Sequence, residues 1–161
     1  MRQLKIHTTQ DDHRVAKLAA LAIGLHLIEA VVPSPLPGVK PGIANIVTLY
    51  VLYRFDYATA AWVSLLRVFA SSLLFGNFLS PTFVLSLSGA TMSLVALYFA
   101  QYLPRRHFGP VSLSIFAAFA HMFAQLLLVR FWLIPHAGVA YLIPIFMLAA
   151  LFFGLINGVV T

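Results

Sequence analysis

Residues 111–134 read VSLSIFAAFAHMFAQLLLVRFWLI, and this stretch decides the fold class. An apolar helix of about 20 residues crosses the roughly 30 Å hydrocarbon core of a bilayer, so the stretch predicts a membrane-spanning helix. The same stretch carries His121, Gln125 and Arg130. A bilayer accepts such side chains where they line a cavity or pair with one another, and we therefore predict a membrane protein with a polar interior.

The composition of the whole chain agrees with this prediction. Of its residues, 61% are hydrophobic and 9% are charged, and the mean hydropathy is +0.96. Soluble domains average about 45–50% apolar and about 25% charged residues. We predict an all-α, polytopic membrane protein, a bundle of six transmembrane helices formed by the apolar stretches 15–32, 43–53, 57–75, 82–103, 111–134 and 138–160.

The domain organisation follows from these stretches. We assign residues 1–14 to a cytoplasmic polar tail and residues 15–161 to a single six-helix transmembrane domain, which leaves no room for a soluble catalytic domain. The stretch 43–53 is too short to span alone, so it either extends through Arg54 by snorkelling or forms a partly re-entrant helix. No cleavable signal peptide is expected, because no small-residue cleavage pattern follows the first apolar stretch.

The distribution of Lys and Arg predicts the orientation in the membrane. With the N-terminus inside, the cytoplasmic segments carry most of the positive charge, and the outer loops carry only Lys40. Both termini are therefore expected to face the cytoplasm, in the cytoplasmic membrane. The same basic residues explain most of the net charge of +6. They are scattered over separate segments instead of forming one stripe, which argues against nucleic-acid binding.

This topology brings several polar residues to one depth, in the outer half of the bundle. We predict that a small-molecule ligand binds in one cavity lined by Glu29, Lys40, Asn45, Arg67, His121 and Gln125. Counted together with Arg130, the cations outnumber Glu29, which favours a ligand with a carboxylate or phosphate. In the alternative, Glu29 pairs with Arg67 or Lys40 as an internal lock, and Arg130 snorkels to the outer headgroups.

The sequence predicts neither catalysis nor a metal or other cofactor. His121 and Gln125 are spaced i, i+4 on one helix face, but no further histidine or carboxylate has a ligand-like spacing beside them. The chain has no cysteine, which excludes thiolate chemistry. Asp11 and Asp12 are expected to be solvated charges, without the second aspartate cluster that prenyl-diphosphate chemistry on magnesium requires. Asn157, near the cytoplasmic end of the sixth helix, is expected to hold helices together by packing.

A stripe of small residues marks one face of the first helix. Ala16, Ala20 and Gly24 recur at i, i+4 and i+8, a spacing that lets another helix approach closely. The stripe is either a docking face for a partner or an internal contact of the bundle.

Several of these segments resemble a known family. They are residues 29–49 (EAVVPSPLPGVKPGIANIVTL), Arg67 with residues 76–81 (GNFLSP), residues 85–90 (LSLSGA), and His121 with Gln125. Together they look like the Gx transporter family, also catalogued as heptaprenyl diphosphate synthase component I. Where that family commonly reads His-Asn on the fifth helix, this chain has His121-Met122.

The resemblance implies an S-component-like fold, because that family is similar to the S components of energy-coupling factor transporters. Those proteins are six-helix membrane subunits that capture micronutrients on the outer side. In them, a small-residue stripe on helix one docks against a transmembrane coupling subunit, and Ala16 and Ala20 match that pattern. The coupling subunit in turn works with cytoplasmic ATPases, and this chain has no Gly-rich phosphate loop of its own.

Three functions remain open at this point. The first is a substrate-binding subunit of an energy-coupling factor-like importer for a small anionic molecule. The second is a noncatalytic membrane component of a heptaprenyl diphosphate synthase, which would need an apolar lateral opening. The third is a scaffold with internal salt bridges and no ligand. The clustered polar residues favour the first.

Overall fold

The computed structural model describes residues 9–31, 42–104 and 108–161, and this part of the chain is helical without a strand. The α-helices in chain order are α1 (Gln10–Val31), α2 (Ile43–Arg54), α3 (Tyr57–Leu74), α4 (Pro81–Ala100), α5 (Pro110–Leu128) and α6 (Ile143–Val160). A π-helical turn, Val129–Leu133, extends α5, and a 3-10 segment, Ala137–Leu142, precedes α6. The all-α fold with six helices is confirmed.

Four segments of the described chain are long and apolar enough to cross a membrane: Tyr57–Leu74, Pro81–Ala100, Pro110–Leu133 and Ala137–Val160. The protein is therefore a membrane protein. α1 has sufficient length, but Arg14, Lys17 and Glu29 interrupt its apolar surface. α2 ends at Arg54, which the alternative of an extension through Arg54 required. Its 12 residues rise only about 18 Å, which is less than the roughly 30 Å thickness of the hydrocarbon core. Six complete spans stay a prediction.

The first helix begins earlier than its apolar stretch, within the segment assigned to a polar tail. Thr9 and Asp12 form its N-terminal cap: the Thr9 N–H and hydroxyl each donate to Asp12 Oδ2 at 2.8 Å, and the Asp12 N–H donates to Thr9 Oγ1 at 3.2 Å. These hydrogen bonds to the carboxylate lower the pKa of Asp12. Asp11 pairs with Arg14 at 3.2 Å. The expectation that Asp11 and Asp12 are only solvated charges is therefore wrong, although both remain exposed.

The helices pack as a chain of neighbours around α2. α1 packs on α3, α3 on α4, α4 on α5 and α5 on α6, while α2 contacts α1, α3, α5 and α6. One apolar cluster joins α1, α2 and α3 through Ala22, Val47, Val51, Ala60 and Val63. A second joins α2, α4 and α5 through Leu49, Leu97, Ala100, Leu113 and Ala117. The short α2 thus fills part of the bundle interior, and its first residues lie beside the space that the longer helices enclose.

Candidate functional site

A cavity of about 670 Å³ lies between the start of α2 and the five longer helices. Its wall contains Glu29, Asn45, Arg67, His121 and Gln125, so all but one of the predicted ligand-binding residues come together there. Lys40, the remaining one, lies outside the described residues. The structure places the described members on one cavity wall, and their role as a ligand-binding site stays a prediction.

Arg67 supplies a buried positive charge to this cavity. It lies on α3, its side chain is 5% exposed, and its Nε has no hydrogen-bond partner. Among the described residues, only Arg14 and Asp11 form an ion pair with a nitrogen–oxygen distance below 4.0 Å. Arg67 and Glu29 therefore do not form a salt bridge. The alternative of an internal lock between Arg67 and Glu29 is therefore not formed in this structure. A buried charge without a close counter-ion is costly, which makes Arg67 a strong candidate for contact with an anion.

Glu29 contributes the negative charge and also holds the start of α2. It lies on α1 and is 2% exposed; its Oε1 accepts a hydrogen bond from the N–H of Gly42, and its Oε2 is buried without a partner. Gly42 precedes α2 with φ +70°, a left-handed backbone conformation that residues with a side chain rarely adopt. Its carbonyl accepts from Asn157 Nδ2 at 3.2 Å. Glu29 and Asn157 thus tie α1 and α6 to the start of α2, which confirms Asn157 as a residue that joins helices.

His121 and Gln125 line the cavity from α5, and both are set against α4. The imidazole of His121 occupies the space over Gly89, where an added Cβ would lie 2.6 Å from Nε2, while Nδ1 is buried without a partner. Gln125 Nε2 donates to the carbonyl of Leu85 at 3.3 Å, which leaves its Oε1 for a donor in the cavity. The two side chains therefore offer neutral hydrogen-bonding groups beside the charged pair.

The chain matches the family described as heptaprenyl diphosphate synthase component I over residues 18–161. It belongs to this family. The matched range runs from within α1 to the last residue and so includes every described residue of the cavity wall. No curated protein and no solved structure matches the chain. The resemblance to the heptaprenyl diphosphate synthase component I family is confirmed, whereas the similarity to S components stays a prediction.

Several polar residues of the cavity wall were not expected from the sequence: His26, Ser71, Ser72, Asn77, Thr82 and Ser86. Helical spacing carried a signal for two of them. His26 precedes Glu29 by one turn of α1, and Ser71 follows Arg67 by one turn of α3, so each shares a face with a predicted residue. Arg130, which was counted among the cations near the predicted cavity, lies in the π-helical turn. It is half-buried and does not line the cavity.

The small-residue stripe of α1 faces away from the packed interior. Ala16 and Ala20 are exposed, and a Cβ added to Gly24 would meet no atom within 4 Å. Among the described residues, the structure therefore does not show the alternative, in which this stripe contacts another helix of the bundle. Docking of a partner on this face stays a prediction.

Proposed function

We propose that this chain is a membrane-embedded binding protein for a small molecule with a carboxylate or phosphate group. The observation that carries the proposal is the guanidinium of Arg67, buried in the wall of a 670 Å³ cavity without a salt-bridge partner among the described residues. Arginine suits this task, because its planar fork binds a carboxylate or phosphate through two parallel hydrogen bonds.

The experiment is mass spectrometry of small molecules that co-purify with the detergent-solubilised protein. An anionic compound should be enriched with the wild-type chain and depleted with Arg67→Gln. The matched control is Arg54→Gln, which removes the same charge from the exposed end of α2 and should retain the compound. If Arg67→Gln retains every compound that the wild type carries, the proposal fails.

The family description favours a second candidate, a noncatalytic membrane component of a heptaprenyl diphosphate synthase that works with a separate enzyme component. One feature of the cavity supports it: beside the polar residues, the wall includes Phe75, Phe83, Met122 and Phe153. A prenyl diphosphate has an anionic head for Arg67 and an apolar tail for these side chains. Farnesyl diphosphate should then raise the melting temperature far more than inorganic diphosphate. Equal shifts would count against this candidate.

The importer role requires a partner, and we propose that the exposed stripe of α1 docks a transmembrane coupling subunit linked to cytoplasmic ATPases. Replacing Ala16 and Ala20 together with leucine should abolish co-purification of that partner from native membranes, because the added bulk separates the helix backbones. The melting temperature should stay nearly unchanged, since both positions are exposed. Ala140→Leu makes the same change at an exposed alanine before α6 and should retain the partner. Unfolding of the double variant would instead assign the stripe to internal packing.

We propose a cytoplasmic-membrane location with both termini in the cytoplasm, on the basis of the loop charges. Reporter proteins fused after Arg106, which lies outside the described residues, and after Thr161 should both give cytoplasmic signals. External signals from both fusions would reverse this orientation and place the cavity nearer the opposite face, and an external signal from one alone would contradict the six-span topology.

A further inference from the structure

We infer that the ligand is dipolar, a small zwitterion whose anionic group binds Arg67 and whose cationic group binds Glu29. This inference rests on the proposed binding function and specifies its substrate class. Arg67 and Glu29 are 5% and 2% exposed, and both line the same cavity. Each keeps a buried polar atom without a hydrogen-bond partner, Nε of Arg67 and Oε2 of Glu29. No side-chain nitrogen of Arg67 lies within 4.0 Å of a carboxylate oxygen of Glu29, so neither charge is neutralised by a direct salt bridge.

The charge balance of the cavity wall favours a dipolar ligand over a simple anion. Among the described residues of the wall, Arg67 is the cation and Glu29 the carboxylate, and Arg130 lies elsewhere. An anion bound to Arg67 would share the cavity with an unpaired carboxylate, and like charges in a site with little water repel. An ammonium group beside Glu29 Oε2 removes that repulsion and pairs the second buried charge. A zwitterion therefore satisfies both ends of the site at once.

The remaining wall fits the body of such a molecule. Gln125 has its amide nitrogen bound to Leu85 and can accept from an ammonium group through Oε1. Phe75, Phe83 and Phe153 provide apolar and aromatic surface in the same cavity. A zwitterion with an apolar or aromatic side group matches this combination of charges and rings.

The test uses two sets of matched probes on the full chain in lipid nanodiscs. The first set is L-phenylalanine, 3-phenylpropionate and 2-phenylethylamine, and the second is L-leucine, 4-methylpentanoate and isopentylamine. Each set keeps the side group and varies only the charges. In at least one set, the zwitterion should raise the melting temperature of the wild type more than the anion or the amine does.

Glu29→Gln is the decisive variant, because its amide oxygen can still accept from the Gly42 N–H while the negative charge is lost. Apparent affinity for the zwitterion should fall about ten- to a hundredfold, the value of one charge-assisted hydrogen bond, and the matched anion should become the better ligand. If the anion stabilises the wild type as well as the zwitterion does, and Glu29→Gln changes nothing, the ligand is not dipolar but the binding function stands. If no probe shifts the wild type, the inference of a dipolar ligand fails, and co-purification decides the binding function; if the shifts in Arg67→Gln equal those of the wild type, the binding function fails as well.

Discussion

Replacing Arg67 with glutamine is expected to weaken ligand binding about ten- to a hundredfold. A net loss of about 1.5–3 kcal/mol follows when a charge-assisted hydrogen bond is removed, and this energy corresponds to that range of affinity. Titration calorimetry with the compound identified by co-purification measures the change. Arg67→Lys is the graded control, because it keeps the positive charge but loses the planar fork, and it should bind with intermediate affinity.

The internal-lock alternative leads to a different result for the same variant. If Arg67 mainly compensates Glu29, then Arg67→Gln leaves Glu29 unpaired and lowers the melting temperature, and adding Glu29→Gln restores it. The geometry does not favour a direct lock, since no side-chain nitrogen of Arg67 lies within 4.0 Å of a Glu29 carboxylate oxygen and Glu29 accepts from the Gly42 N–H instead. Rescue of stability in the double variant, with ligand affinity unchanged in all three, would exclude Arg67 as a ligand contact.

The elements of the fold and the main residues of the cavity were predictable because the bilayer restricts both. Runs of apolar residues identify α3 to α6, and an Arg or Glu inside such a run requires a polar interior. Arg67, Glu29, His121 and Gln125 could be selected for this reason alone, since few residues of their kind occur in the apolar stretches. The ends of the helices were less predictable. The cap formed by Thr9 and Asp12 extends α1 into the polar tail through local hydrogen bonds.

Features that depend on contacts between distant helices escaped prediction. The hydrogen bond from Asn157 to the Gly42 carbonyl joins residues 115 positions apart, and no local pattern specifies it. The space for His121 depends on Gly89, a residue that otherwise suggests only a slender helix. Ser72 and Ser86 of the cavity wall gave no signal either, because serine is common in membrane helices and satisfies itself locally: Ser72 donates to the Phe69 carbonyl at 2.8 Å.

Gly158 should be among the positions least tolerant of added bulk. It lies near the end of α6, where a Cβ would sit 2.5 Å from Val111 Cα and 2.9 Å from Ser114 Cβ. The first of these atoms belongs to the backbone of α5 and cannot rotate away, so α5 and α6 must separate. We expect Gly158→Ala to lower the free energy of unfolding by about 3 kcal/mol, the upper end of the usual cost of overpacking. Thermal unfolding in detergent measures the loss.

Gly24→Ala is the matched control, because a Cβ at Gly24 meets no atom within 4 Å. There the same substitution should leave stability unchanged or raise it by up to about 1 kcal/mol, since alanine favours the helix. Opposite signs for the two variants would show that backbone contact, not loss of glycine, decides the outcome. Equal stability would mean that α5 and α6 are less closely packed than this geometry requires. Because Asn157 adjoins Gly158 and binds the Gly42 carbonyl, separation of α6 should also loosen the start of α2 and weaken ligand binding.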